Sequence, residues 1–311
     1  MSVLICGSFA YDNIMVFPDK FKNHILPDKV HMLNVSFLVP ELRREFGGCA
    51  GNIAFNMKLL GDDPLPMGTV GSDFSSYAAW MDKFAINRQH VRVKADHFTA
   101  QAYITTDIDD NQITAFHPGA MNLAHETAIS EASNIRLGII APDGREGMIQ
   151  HAQQFADADI PFIFDPGQGL PMFNGDELLQ FASQATYIAL NDYEAQLFEN
   201  RTGLPPEQIA KQVEALIITR GAQGSHIYTD NKRIDIPCAT AVRVADPTGC
   251  GDAYRAGLLH GILHGKSWEI TGRIASLLGA IKIEQYGTQN HRFTAEQFAA
   301  RFEQEFGLAF N

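Results

Sequence analysis

Leu137-Gly138-Ile139-Ile140-Ala141, Phe162-Ile163-Phe164-Asp165, Tyr187-Ile188-Ala189-Leu190 and Leu216-Ile217-Ile218-Thr219 are four short apolar runs within residues 137–219. Uninterrupted apolar runs of this length are characteristic of strands buried on both faces. Helical stretches such as Glu146–Ala156 and Gly175–Ala182 separate them. Strand and helix alternating at these lengths predict a three-layer α/β fold, a doubly wound and mostly parallel sheet covered on both faces. Such sheets carry ligands at the carboxyl ends of their strands. Here those ends read Asp165-Pro166, Asn191-Asp192 and Thr219-Arg220-Gly221, all polar or turn-forming.

Towards the amino terminus, Val3 to Cys6 reads as another buried strand, ending in a tight turn at Gly7-Ser8. From Asp12 to Glu45 the sequence is irregular and amphipathic. Gly47-Gly48-Cys49-Ala50-Gly51-Asn52 then leads into a helical pattern, Ile53 to Leu60, stopped by Gly61. A glycine turn opening a helix lets backbone approach a ligand closely. Between Phe98 and Phe116 the residues partly alternate around Asp109-Asp110-Asn111, a hairpin signature. This hairpin falls outside the strand–helix rhythm and is expected to be an inserted β element covering a site. The expectation is one domain, residues 1–311, with a small β-sheet lid from about 13–46 and 96–118. Phe298, Ala299, Phe302 and Phe306 have the spacing of a packing helix over Ala295–Phe306.

The chain carries 24 Lys and Arg against 36 Asp and Glu, a formal charge of −12, and no long basic block. A nucleic-acid partner is therefore not expected. An acidic surface also repels free polyphosphate, so a nucleotide must arrive as a metal complex or meet local donors. Cys6, Cys49, Cys238 and Cys250 are widely spaced, as in a reduced protein without disulfides or a zinc site. The amino-terminal apolar run is too short to cross a membrane and lacks a basic leader, so a cytoplasmic location is expected. His24, His31, His260, His264 and His291 read as surface or satisfied polar residues, not metal ligands.

The chemistry concentrates in Asp246-Pro247-Thr248-Gly249-Cys250-Gly251-Asp252, followed by the helical Ala253-Tyr254-Arg255-Ala256-Gly257-Leu258-Leu259. Amides of Gly249, Cys250 and Gly251 at a helix start would bind an anion through hydrogen bonds and the helix dipole together. Asp252 could accept a hydroxyl proton while those amides hold developing charge. A plain turn with Asp252 as N-cap would account for the same residues.

This segment resembles the carboxy-terminal signature of the ribokinase-like, or PfkB-type, carbohydrate and nucleoside kinases. The resemblance implies Asp252 as general base and an anion hole at Gly249, Cys250, Gly251 and Asp252. Gly47 to Asn52 is similar to the family's Gly-Gly motif over the sugar. Asn191-Asp192-Tyr193-Glu194 resembles its N-x-x-E motif, which implies Asn191 and Glu194 near Mg²⁺ and its waters; a capping box explains the same spacing. Thr219, Gly221 and Gly224 resemble the stretch that touches ATP, though a hairpin loop would read alike. Asp246 lies where a side-chain ligand to K⁺ or a similar ion is implied.

Phe17-Pro18-Asp19-Lys20-Phe21, Ser36-Phe37-Leu38-Val39, Phe116-His117-Pro118-Gly119-Ala120-Met121 and Tyr286-Gly287-Thr288-Gln289 are similar to bacterial adenosine kinases of mycobacterial type. That branch implies phosphorylation of adenosine to AMP, a purine-salvage step, with ATP as donor. It implies Ser8, Asp12, Gly48 and Asn52 around the ribose, with Ser36 and Gln168 near the base. Two positions depart from it. Ala102 stands where a stacking phenylalanine is implied, which leaves Tyr103 or Phe116 to stack. Gln168-Gly169 replaces a glutamine pair. A ribose or fructose kinase and a non-catalytic nucleoside sensor are the other readings, the last having no need of a base at Asp252. Exposed lid edges imply a homodimer.

Overall fold

The computed structural model describes residues 2–25, 32, 34–109 and 111–310. His31 and Asp110 lie outside them. The strands in chain order are β1 (Ser2–Cys6), β2 (Ala10–Val16), β3 (Glu41–Gly47), β4 (Pro64–Gly71), β5 (His90–Lys94), β6 (Ala100–Thr106) and β7 (Gln112–His117). They continue with β8 (Ile135–Ile140), β9 (Phe162–Phe164), β10 (Tyr187–Asn191), β11 (Ala215–Thr219), β12 (Ser225–Thr229) and β13 (Lys232–Ile236). The helices are α1 (Cys49–Leu59), α2 (Ser75–Lys83), α3 (Arg145–Asp157), α4 (Gly175–Gln184), α5 (Asp192–Thr202), α6 (Pro206–Ile209), α7 (Cys250–Leu263), α8 (Trp268–Ile283) and α9 (Ala295–Phe306).

Nine strands form one sheet in the order β13-β12-β11-β10-β9-β8-β1-β4-β5. It is parallel from β11 to β5, and β12 and β13 add an antiparallel edge. Alternate residues of each central strand go to opposite cores. Val3, Ile5, Ile139, Ala189 and Ile217 pack with α1, α7 and α8, while Leu4, Cys6, Ile140, Ile188, Leu190, Leu216 and Ile218 pack with α3, α4 and α5. Each of the valine, leucine and isoleucine side chains among them, fully removed from water, contributes about 1.5–3 kcal/mol. Double-sided burial is why these runs show no period of two. The predicted three-layer fold is therefore present.

A second sheet runs β3-β2-β6-β7, with β2 and β6 parallel and the outer pairs antiparallel. Half of it comes from the stretch read as irregular: β2 and β3 lie within 10–47. Their side chains alternate imperfectly between faces, so the sequence carried no clean period of two. The sequence patterns likewise do not mark β4, β5, β12 and β13. Among the described residues, no helix is long and apolar enough to cross a membrane.

Two helix pairings position the site. α7 lies against α8 so closely that a Cβ on Gly257 would stand 2.4 Å from Ala275 Cα. α1 also packs on α7, and beyond its end the buried Asp62 is hydrogen-bonded at 2.8 Å to both His260 and His264. Each histidine has the Asp62 carboxylate as a partner, and together they pin the far ends of the two helices. Gly257→Val should cost about 1–3 kcal/mol through overpacking against the α8 backbone; urea denaturation with an unchanged m-value checks it.

Candidate active site

Asp252 sits in the first turn of α7, and its Oδ2 accepts a hydrogen bond from Asn52 Nδ2 at 2.7 Å. Asn52 lies in the first turns of α1, so the glycine-led starts of two helices meet at this bond. Burial pushes the Asp252 carboxyl up to about 6, with the Asn52 bond acting against it and the charge of Asp165 adding to it. Such a group is ionised at neutral pH yet basic enough to take a proton.

Asn52 is itself held. Its Oδ1 accepts from Gln289 Nε2 at 2.9 Å, and the same amide nitrogen reaches the Tyr77 hydroxyl at 2.6 Å. Tyr77 in turn donates to Gly47 O at 2.9 Å, and Trp80 Nε1 donates to Gln289 Oε1 at 2.9 Å. One turn along α1, Asn56 donates to Asn52 O at 2.8 Å, and Asn56 Oδ1 accepts from His291 at 2.7 Å. Burial drives the His291 ring down to about 3, so it is neutral. A chain of uncharged groups thus fixes the amide that, with the Cys49 thiol, meets the carboxylate.

The turn before α7 is ordered by Asp246, whose carboxylate accepts from Thr248 N and Gly287 N, both at 2.9 Å. Gly249 has φ +79°, and a Cβ there would press on Thr288 at 3.0 Å. Gly251 has ordinary helical backbone and faces open space, so it supplies room for a ligand and not a special φ. Cys250 N–H already donates to Pro247 O at 3.2 Å. This narrows the expected anion hole: among the described residues, the amides of Gly249, Gly251 and Asp252 meet no backbone acceptor. Burial raises the Cys250 thiol to about 11, which leaves it protonated. The lowering that a helix start can produce does not occur, because desolvation outweighs it.

Asp252, Gly249 and Gly251 line a cavity of about 260 Å³ together with Asp165, Gln168, Asn191, Glu194, Thr219 and Arg255. The carboxyl ends of β9, β10 and β11 therefore converge with the start of α7. Arg255, one turn beyond Asp252, pairs with Asp165 at 3.0 Å, both buried. Its Nε and Nη1 have no partner among the described residues. A buried guanidinium with two unused donors beside an anion turn is equipped to receive phosphate. Arg255 and Asp165 were missed as site residues; Arg255 at Asp252+3, on the same helix face, was the available signal. Asn191 and Glu194 form the capping box anticipated as an alternative: Glu194 N donates to Asn191 Oδ1 at 2.7 Å and Asn191 N to Glu194 Oε2 at 2.8 Å.

Ser8 is buried, its Oγ accepting from Cys49 N at 3.2 Å. Gly48 has φ +85°, and a Cβ would stand 2.5 Å from Phe9 Cα; only glycine fits this crossing. In the small sheet Asp12 pairs with Glu45 and Ala102, and Ala102 with Phe116. Directly opposed residues share a face, so Asp12, Ala102 and Phe116 look the same way. Burial, with Asp246 and Glu45 nearby, raises Asp12 to about 6. Tyr103 points to the other face and donates to Gln101 Oε1 at 2.7 Å, which separates it from Asp12. Ser36 is exposed and outside the cavity lining. Gly221 and Gly224 also lie outside that lining and shape the turn from β11 to β12, where Arg220 N donates to Gly224 O at 2.8 Å.

The comparisons with known proteins make the chain a phosphotransferase with an alcohol group as acceptor. The chain belongs to the pfkB family of carbohydrate kinases, whose family model matches residues 12–294. It is similar to a Burkholderia thailandensis nucleoside kinase solved in complex with inosine: 53% identity, TM-score 0.91, 99% of both chains covered. A second structure of that protein, in complex with ADP-inosine, aligns at 55% identity and TM-score 0.88 over 99% of this chain and 97% of that one. The nucleoside kinase of Methanocaldococcus jannaschii is 33% identical over 273 residues, 87% of this chain and 89% of its own.

Gln289→Leu should leave Asn52, Tyr77 and Trp80 short of partners and cost about 1–3 kcal/mol per uncompensated buried group. Denaturant unfolding followed by tryptophan fluorescence reads the loss, and a shift of the Trp80 emission reports the broken indole bond.

Proposed function

We propose that the protein transfers the γ-phosphoryl group of ATP to the 5′-hydroxyl of a purine nucleoside. The observation that carries the reading is Asp252, held by Asn52 beside free amides and titrating near 6. In this reading the carboxylate takes the proton of the attacking hydroxyl. The amides of Gly249, Gly251 and Asp252, with Arg255, hold the charge on the phosphoryl group. Ser8, Asp12, Gly48 and Asn52 hold the ribose. Phe116, on the Asp12 face, stacks on the base, with Gln168 at the cavity mouth. Thr219 at the cavity wall lies towards the nucleotide.

Asp165, Glu194 and Asp252 line one cavity, and the charge of Asp165 adds to the rise that burial imposes on both of the others, which supports a magnesium ion held there through its waters. Glu194 and Asn191 would hold the ion through its waters, and the ion would shield the phosphates. The small sheet acts as a lid that keeps water from the γ-phosphate. The edge strand β7 is exposed at every residue from Gln112 to His117, which supports pairing of two lids in a homodimer; sedimentation velocity tests it.

Both adenosine, implied by the sequence resemblance, and inosine, bound by the Burkholderia relative, fall within this class. A coupled ADP-release assay over adenosine, inosine, guanosine, ribose and fructose decides. Turnover of free sugars alone would overturn the nucleoside reading, and no turnover at all would favour a sensor.

The rate should rise with pH through an apparent pKa near 6, because the base works only when ionised; a flat profile from pH 5 to 8 would contradict the assignment. Asp252→Asn should lower kcat by about 10³-fold or more while nucleoside binding is retained. The same variant should be the more stable protein at neutral pH. A carboxyl raised from 3.8 to about 6 favours folding below 3.8 and loses that contribution as pH rises through 6. Asparagine avoids the loss, a gain of up to about 3 kcal/mol less what solvent at the half-open site screens. Thermal melts of both proteins at pH 4 and pH 8 measure it.

A further inference from the structure

Lys282, in the last turn of α8, is entirely closed off from solvent. Its Nζ donates to Asp246 O at 2.7 Å and, more weakly, to Gln285 O at 3.4 Å. Burying an ammonium is costly unless its charge is answered. Desolvation draws the Lys282 ammonium below its ordinary range, helped by Arg43, and the carboxylates of Asp246 and Asp252 act against that. The segments it joins form the rear wall of the anion turn. Ala245 N and Asp246 N both donate to Ile283 O, at 2.8 and 3.1 Å, and Asp246 Oδ2 accepts from Gly287 N.

A monovalent ion does not fit at Asp246. Both carboxylate oxygens already accept backbone amides, the carbonyl accepts the ammonium, and Arg43 Nη2 lies 3.9 Å from Oδ2. An added cation would meet two positive charges and find these oxygens engaged.

We infer that Lys282 is a built-in replacement for the monovalent cation: its tethered ammonium ties the anion turn to the loop after α8 and places a fixed positive charge behind the transferred phosphoryl group. Lys282 touches neither substrate nor Asp252, so it is a positioning residue. The inference rests on the kinase reading for its consequence in turnover, but not for its consequence in cation binding.

The test compares wild type and Lys282→Met in potassium, ammonium, sodium and tetramethylammonium chloride at equal ionic strength, by turnover and by thermal melting. Wild type should show the same kcat and the same Tm in all four salts. Lys282→Met should lose at least about tenfold in kcat with little change in nucleoside KM. Potassium or ammonium, and not tetramethylammonium, should restore part of that kcat and raise the variant's Tm by binding the vacated carbonyls. Activation of wild type by potassium over tetramethylammonium would overturn the inference, as would a variant with undiminished kcat and a salt-independent Tm. If Lys282→Met does not fold, the wild-type salt series decides alone by the same criterion. If wild type turns over no nucleoside in any salt, the functional reading fails, and the cation-specific Tm of the variant still decides this one.

Discussion

The hydrogen bond between Asn52 and Asp252 is the contact on which the rest of the arrangement depends. It joins the opening turns of α1 and α7 through two residues that are 200 positions apart in the chain. A carboxylate in this partly desolvated place is unfavourable to the fold unless a donor meets it. One amide does so, and that amide is held by Gln289, which Tyr77 and Trp80 hold in turn. At the far ends of the same two helices, Asp62 closes on His260 and His264. The pair is thus fixed at both ends, and the carboxylate has little freedom to turn away and solvate itself.

Charge around the cavity is arranged in opposition. Burial holds the Asp165, Glu194 and Asp252 carboxyls up, the charge of Asp165 adds to the rise of the other two, and Arg255 and Lys282 stand behind them. Neither cation reaches bulk water. The resulting site carries negative groups where a metal complex would arrive and positive groups where a phosphoryl group would lie. With a formal charge of −12 over the whole chain, these two buried cations offset part of the negative field that a polyphosphate would meet.

The small sheet presents a comparable economy of means. Its register, Asp12 opposite Ala102 and Ala102 opposite Phe116, puts a carboxylate and an aromatic ring on one face with a small residue between them. Tyr103 was an equal candidate for stacking on sequence grounds. A single residue of displacement along β6 sends it to the opposite face, where Gln101 takes its hydroxyl.

The sequence by itself determined the three-layer architecture, because strands buried on both faces must read as short apolar runs. It also determined the place of the anion turn and of Asp252, because glycine, acid and helix start are adjacent in the chain and their chemistry is local. β2 and β3 were not legible, since their strand character comes from pairing with partners distant in sequence. Tertiary structure alone decided which donors complete the site. Lys282 looks ordinary in sequence, and the motif positions of Arg255 and Gln289 do not reveal their partners; all three acquire their surroundings only where packing removes water.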